Sequence, residues 1–94
     1  MSYSRLNAKI TTKDYTFSWA NFASWNYGWY CDVSIASDMA LYGTPISFAI
    51  VFSTANRAMY AYMVEGSKIR VFIDDNHKDS TGVNATVRVT YIKQ

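Results

Sequence analysis

Apolar and polar residues alternate with a period of two along almost the whole chain, which is the pattern of a half-buried β-strand. The alternation runs through residues 6–11, where Leu6, Ala8 and Ile10 are apolar, and resumes in the opposite phase over residues 15–19. A change of phase inside one strand would turn every later side chain to the other face of the sheet. The sequence therefore predicts two strands joined by a hairpin turn near Thr12 and Lys13.

Five more alternating segments follow, over residues 29–36, 45–53, 58–64, 68–74 and 86–92. Residues 37–44, which end at Gly43-Thr44 before Pro45, and the polar stretch 75–84 are predicted connections, and Glu65-Gly66-Ser67 is a predicted tight turn. Pro45 has no N–H to donate and fits the first residue of a strand. The residues predicted to face inward in these strands are Trp29, Cys31, Val33, Ile35, Ile46, Phe48, Ile50, Phe52, Ile69, Val71, Ile73, Val87, Val89 and Tyr91.

Seven short strands separated by turn signals predict an all-β fold, an antiparallel, jelly-roll-like β-sandwich. The chain has 94 residues, a length typical of a single domain, so one domain is expected over residues 1–94. Half of the residues are hydrophobic, which excludes disorder, and no apolar run is long enough to insert into a membrane. A net charge of +2 without a basic cluster gives no support to nucleic-acid binding.

The segment 58–64 is apolar on both faces, because Tyr60 and Tyr62 alternate with Met59 and Met63. Both faces of this strand are therefore expected to be covered. Phe72 and Val51 add apolar groups to predicted outward faces, and outward apolar groups of this kind commonly contact a second chain. The pattern predicts a homo-oligomer.

No pair of residues suggests a nucleophile and its base, so we do not expect an enzyme. His77 is the only histidine, and the lone Cys31 is predicted to point inward. Residues 74–79 hold three carboxylates beside His77, but Lys78 and the missing closing glutamate depart from a calcium loop. A solvated loop is the preferred interpretation, with binding of calcium or a transition metal as the alternative, and no metal ion or cofactor is expected.

Two arginines, Arg70 and Arg88, are predicted to lie on outward faces of strands. The simple interpretation is that both are solvated. If their strands were neighbours, the two like charges would be close together, and a carboxylate such as Asp32 between them would relieve the repulsion.

Aromatic residues are concentrated around residues 21–28, which are predicted to form a loop. Trp19, Phe22 and Trp29 are expected to form a cluster that plugs one end of the sandwich. Trp25 and Tyr27, which flank Asn26, are better placed for exposure, and aromatic rings beside short polar groups suit the apolar faces of sugars. Trp25, Asn26 and Tyr27 are therefore the candidate glycan-binding residues, with low affinity per site and avidity from several copies.

From Tyr30 onward, a series of short segments occurs in a recognisable order. These segments are Asp32-Val33-Ser34-Ile35-Ala36, Gly43-Thr44-Pro45-Ile46-Ser47, Tyr60-Ala61-Tyr62, Ile69-Arg70-Val71-Phe72 after Gly66, and Ala85-Thr86-Val87-Arg88-Val89-Thr90-Tyr91-Ile92-Lys93. The order resembles the C-terminal β-rich head domain of tail-fibre and minor tail proteins of phages that infect Gram-positive bacteria. The resemblance implies a homotrimeric β-sandwich at the virion tail tip that contacts host cell-surface polysaccharide, and it carries over no catalytic residue.

Three kinds of non-enzymatic function stay open from the sequence. The first is a receptor-binding domain, the second a structural oligomerisation domain of a fibre tip, and the third a carbohydrate-binding module of a larger protein. A loop that buries Trp25 and Tyr27 would favour the structural role, whereas exposure of both residues would favour binding.

Overall fold

Strands form in this protein where alternation gives one face of the chain a continuous apolar stripe. A computed structural model describes residues 8–94. Its one α-helix has seven residues, so no helix in this part is long and apolar enough to cross a membrane. The elements are β1 (Lys9–Phe17), a 3-10 helix (Trp19–Asn21), β2 (Ala23–Trp25), β3 (Gly28–Ser34), α1 (Ala36–Tyr42), β4 (Thr44–Ser53), β5 (Ala58–Val64), β6 (Lys68–Asp74) and β7 (Ala85–Lys93).

The strands form two antiparallel sheets that pack face to face. Sheet A has the order β1-β7-β4, and sheet B has the order β2-β3-β6-β5. The chain passes from one sheet to the other between β1 and β2, β3 and β4, β4 and β5, and β6 and β7, whereas β2–β3 and β5–β6 are hairpins within sheet B. The predicted all-β antiparallel sandwich is confirmed.

The core lies between the sheets and is built from the alternate residues that the pattern placed inward. Each fully buried valine or isoleucine contributes about 1.5–3 kcal/mol, so the middle strands β6 and β7 carry much of the stability. Cys31 also faces inward, as predicted. The buried core residues are Phe17, Cys31, Ile35, Ile69, Val71, Ala85, Val87, Val89 and Tyr91.

The predicted hairpin near Thr12 and Lys13 is wrong, because β1 runs unbroken from Lys9 to Phe17. The inward phase of β1 includes Lys13, whose ammonium group lies 5.6 Å from the centre of the Tyr42 ring. This cation–π contact lets a lysine occupy an inward position on an edge strand. Ile10 points outward and is exposed, whereas Leu6, in the predicted first strand, lies outside the described residues.

Two predicted loops contain regular structure. Residues 21–28, predicted as one loop, include the end of the 3-10 helix and strand β2, which pairs with β3. Residues 37–44, predicted as a connection, are mostly helix α1, whose Met39 and Tyr42 pack against the core at helical spacing. The predicted count of seven strands agrees with the structure because the false split in β1 offsets the missed β2.

Strand β4 breaks its own alternation at two bulges. The register with β7 shifts between Pro45 and Ser47 and again between Ile50 and Phe52. Each bulge inserts one unpaired residue and moves the following side chains to the other face. Phe48 and Ile50 therefore pack inward as predicted, whereas the predictions that Ile46 and Phe52 face the core are wrong, because both are exposed.

The hairpin of β5 and β6 has the predicted turn at residues 65–67. Glu65 and Gly66 both have positive φ, 54° and 74°, which suits a tight turn between strands of right-handed twist. In β5, Met59 and Met63 pack against the core, while Tyr60 and Tyr62 point outward and are exposed. A single chain thus covers one face of β5, and coverage of the other face by a partner stays a prediction.

Candidate functional site

The outer face of sheet B carries a continuous group of aromatic side chains. Antiparallel registry places Tyr30 of β3 opposite Phe72 of β6, and Phe72 opposite Tyr60 of β5. Directly opposed residues on antiparallel strands share one face of the sheet, so these three rings form a row across three strands. We call the whole group the aromatic face; its members are Trp25, Tyr30, Tyr60, Tyr62 and Phe72.

The rings of the aromatic face contact one another. The Trp25 ring centre lies 5.4 Å from that of Phe72 and 6.3 Å from that of Tyr30, with the ring planes nearly perpendicular. Phe72 and Tyr60 are close to parallel, with centres 6.5 Å apart. All three separations are within the favourable range for aromatic pairs. Trp25 is nevertheless 45% exposed and Tyr60 51% exposed, so the group presents aromatic surface to solvent.

An ion pair lies in the middle of the aromatic face. Arg70 Nε donates to Asp32 Oδ1 at 2.8 Å, and Arg70 Nη2 donates to Asp32 Oδ2 at 3.0 Å. The guanidinium carbon lies 4.6 Å from the centre of the Tyr30 ring, and Tyr62 is the cross-strand neighbour of Arg70 on β5. The hydrogen bond that Arg70 donates to Asp32 raises the pKa of Arg70 above its ordinary value, so the guanidinium stays protonated beside the carboxylate.

The sequence-predicted site, Trp25, Asn26 and Tyr27, is exposed at one end of this face. Trp25 pairs with Gly28 to close the turn between β2 and β3, and Tyr27 is 63% exposed. The backbone N–H of Asp75 donates to the Tyr27 carbonyl at 2.9 Å and fixes the turn. A Cβ on Gly28 would lie 1.8 Å from the Ile73 carbonyl oxygen, so β3 and β6 approach this closely because residue 28 is glycine.

The other aromatic residues of the region form the expected cluster. Ring centres of Trp19 and Phe22 are 5.5 Å apart, and those of Trp19 and Trp29 are 5.0 Å apart. The Trp19 amide donates to Asn84 Oδ1 at 3.3 Å, and Phe22 packs against the core. These residues therefore close the end of the sandwich where β1 ends and β7 begins, as the sequence predicted.

The loop after β6 is organised around an arginine. Arg57 Nη2 donates to Asp79 Oδ2 at 2.8 Å, and Arg57 Nε lies 3.9 Å from Asp75 Oδ1. Asp75 is buried and accepts a hydrogen bond from the Ser80 amide at 2.6 Å. Hydrogen bonding to Ser80 outweighs burial and holds the pKa of Asp75 at about 2. The guanidinium thus occupies the space between two carboxylates where the alternative hypothesis would put calcium.

The described residues contain no cluster of three or more histidine, cysteine or acidic groups arranged to hold a metal ion. Cys31 is buried in β3, and burial raises the pKa of its thiol. His77 lies exposed in the loop after β6. Tyr15 hydrogen-bonds to both Asp38 and Tyr91, and burial raises the pKa of Tyr15 above its ordinary value, so the phenol holds α1 to sheet A as a protonated group.

Arg70 and Arg88 lie in different sheets, so the close approach that we considered from the sequence does not arise. Arg88 has its own carboxylate, because its Nε donates to Asp14 Oδ1 at 2.9 Å. Asp32 does pair with Arg70, in the same sheet rather than between the two arginines.

Sequence reasoning identified Trp25 but missed Tyr30, Tyr60 and Tyr62 as part of the same surface. These tyrosines belong to two strands that are far apart in the sequence, and only β6 between them brings them into one row. The outward position of Phe72 was the signal in the sequence that could have revealed this surface. Phe72 lies between Arg70 and Asp74 on a face predicted to be exposed to solvent, where a polar residue is expected.

Comparison with known proteins adds no relative. No protein-family model, curated protein or solved structure matches the chain. The resemblance to phage tail proteins therefore stays a prediction.

Proposed function

We propose that this chain is a phage tail-fibre or tail-tip head domain that attaches to the host surface by binding a neutral cell-wall polysaccharide on the aromatic face. The observation that carries the binding role is the exposure of Trp25, Tyr60 and Tyr62 on one sheet surface. The virion location and the Gram-positive host come from the resemblance of the segments after Tyr30. The proposed role is binding, not catalysis.

Sugars present apolar C–H faces and polar rims, and the aromatic face offers partners for both. Its rings can cover the apolar faces, while the hydroxyl groups of Tyr60 and Tyr62 and the amide of Asn26 can hydrogen-bond to the rims. Neighbouring strands lie ~4.8 Å apart, so the row of Tyr30, Phe72 and Tyr60 spans two strand spacings. An extended chain laid across the strands would contact all three rings.

The shape and charge of the surface narrow the ligand class. No pocket is found in residues 8–94, which favours a polymer on an open surface over a small molecule in a cleft. The only basic group at the centre of the face, Arg70, is neutralised by two hydrogen bonds to Asp32. An anionic polymer such as a polyphosphate would have to displace that carboxylate, so a neutral polysaccharide is the better ligand.

The proposal is tested by binding the protein to purified neutral wall polysaccharides and to teichoic acid from Gram-positive cells. Trp25→Ala should weaken binding at least tenfold, about 1.4 kcal/mol, with an unchanged circular dichroism spectrum. Thr86→Ala, on the outer face of sheet A, is the matched control and should bind as the parent protein does.

Two results would contradict the proposal. Binding that is lost on adding a chelator while Trp25→Ala binds normally would move the site to residues 74–79. Binding to teichoic acid in preference to neutral polysaccharide would show that charge, rather than the aromatic face, recognises the ligand.

A second candidate function is a structural oligomerisation domain of a fibre tip. It is favoured by the exposed apolar residues of β4, which lie away from the aromatic face and have no role in sugar binding: Ile46, Val51 and Phe52. An oligomer is compatible with both functions. The homotrimer that the resemblance implies stays a prediction, and a twofold dimer is the alternative that excludes it.

A further inference from the structure

One side of the sandwich has two uncharged edge strands. Among the strands of residues 8–94, β4 is an edge of sheet A and β5 is an edge of sheet B, and the two strands lie against each other. Between residues 43 and 64 the only charged residue is Arg57, and its guanidinium is bound to Asp79. Of the exposed large hydrophobic residues in positions 8–94, more than half are on this side: Ile46, Val51, Phe52, Tyr60 and Tyr62.

The opposite side is protected against pairing with another chain. Its edge strand in sheet A, β1, carries Lys9 and Asp14 and turns Lys13 inward. Its edge strand in sheet B, β2, is only three residues long. Charged edges, inward-pointing lysines and very short edge strands are the features with which soluble β-proteins prevent edge-to-edge association. The sides therefore differ in the property that decides whether a second chain can add.

We propose that two copies of this chain form a twofold dimer in which β4 pairs antiparallel with the β4 of the second copy and β5 approaches the β5 of the second copy. Between the two bulges, residues 47–50 keep a regular register, so the pairing is centred on the outward-facing Ala49, which lies opposite Ala49 of the second copy. The twofold axis runs perpendicular to the sheets, because a twofold rotation about such an axis turns one strand into an antiparallel neighbour in the same sheet.

A second copy fits this side better than an unrelated partner for a geometric reason. The two free edges belong to sheets packed ~10 Å apart, so a partner that uses both must present two edges with the same separation. Another copy does so by construction, and a twofold contact is self-complementary. Pairing uncharged strands with themselves also places no like charges opposite one another.

The dimer would join the two B sheets and bring two aromatic faces side by side across the twofold axis. Tyr60 and Tyr62 of each copy lie on the strand next to the axis, so the proposed polysaccharide could contact both copies at once. This step rests on the proposed function, whereas the dimer itself does not. Two linked sites typically raise the apparent affinity ~10²-fold or more.

Sedimentation equilibrium at micromolar concentration, without any glycan, tests the dimer. The parent protein should sediment at twice 10.7 kDa. Val51→Lys should sediment as a monomer with an unchanged circular dichroism spectrum, because a charged side chain on the edge strand opposes its pairing with the second copy. Thr12→Lys, on the exposed outer face of edge strand β1, is the matched control and should remain a dimer.

Ala49→Cys gives a second measurement that does not depend on breaking the dimer. The new thiol lies near the twofold axis, whereas the native Cys31 is buried, so oxidation should form an intermolecular disulfide. The proposal would be overturned if the parent protein were a monomer or a trimer. It would also be overturned if Thr12→Lys disrupted the dimer and Val51→Lys did not. If Val51→Lys is a monomer but binds glycan with unchanged affinity, the proposed interface is supported and only the polysaccharide site shared by two copies is rejected.

Discussion

The two outer faces of the sandwich contain the same ion pair in different surroundings. On sheet A, Arg88 makes a bidentate contact with Asp14, and on sheet B, Arg70 makes a bidentate contact with Asp32. In both cases the partners are directly opposite one another on neighbouring strands. The residues around the pair differ, because sheet A offers threonines and sheet B offers aromatic rings.

The surroundings decide how far each pair is removed from water. The side chains of Arg88 and Asp14 are 50% and 45% exposed, whereas those of Arg70 and Asp32 are 24% and 20% exposed. The Tyr30 ring covers one side of the Arg70 guanidinium. Solvent screens an exposed pair and leaves it almost without effect on stability, while partial burial strengthens hydrogen bonds between charged groups. Identical chemistry thus serves as surface charge on sheet A and as part of a candidate site on sheet B.

The largest expected effect is on the strand pairing that supports the aromatic face. Gly28→Ala places a methyl group 1.8 Å from the Ile73 carbonyl oxygen, and the backbones of β3 and β6 must separate to admit it. We expect a loss of at least ~3 kcal/mol, measured as a fall in Tm. Ser24→Ala, an exposed change on β2, is the control, and equal Tm values for both variants would contradict the close approach.

The next largest effect comes from making the aromatic face resemble sheet A. Phe72→Thr keeps a strand-forming residue but removes the ring that contacts both Trp25 and Tyr60. Stability should fall by about 1 kcal/mol, and polysaccharide binding should fall at least tenfold. Thr90→Val on the outer face of β7 in sheet A should leave binding unchanged. Undiminished binding by a folded Phe72→Thr protein would exclude the row of rings as the site.

The two ion pairs can be compared directly with matched substitutions. Arg70→Gln should lower the free energy of unfolding by about 1 kcal/mol, a fall in Tm of ~4–8 °C for a domain of this size. Arg88→Gln should leave Tm unchanged within error, because its pair is exposed. The values come from thermal unfolding at neutral pH, and equal shifts for the two variants would show that the aromatic surroundings of Arg70 have no energetic effect.

The smallest expected effect is a difference in acid sensitivity. Asp75, whose amide holds the turn beside the aromatic face, has a pKa of about 2, below its ordinary 3.8. A carboxylate with a lowered folded-state pKa stabilises the protein above its unfolded pKa, and that contribution is lost as the pH falls through the folded pKa. The free energy of unfolding measured in urea should therefore fall as the pH is lowered from 4 to 2.

Asp75→Asn should remove most of this dependence on pH. The pKa of Asp14 is also lowered, by its hydrogen bond to Arg88, so Asp14→Asn provides the comparison on sheet A and should remove less. A pH profile that Asp75→Asn leaves unchanged would show that the Ser80 hydrogen bond does not stabilise the carboxylate.

Several parts of the structure could be predicted from the sequence because they depend on local alternation. The inward faces of β6 and β7 follow from residues two apart that are all apolar, as with Val87 and Val89, because a strand turns alternate side chains to the same side. The exposure of Trp25 and Tyr27 was predicted for a similar reason, since short polar neighbours flank both residues. The cluster of Trp19, Phe22 and Trp29 also lies within a short segment.

Other features could not be predicted from the sequence, because they depend on which strands are neighbours in the fold. The bulges of β4 exist because that strand pairs with β7 in a shifted register, and they reverse the exposure predicted for Ile46 and Phe52. The aromatic face exists because β6 lies between β3 and β5, which brings Tyr30 and Tyr60 into one row. Alternation fixes the face on which a side chain lies but not its cross-strand partner, and the partner decides whether an outward residue is isolated or part of a site.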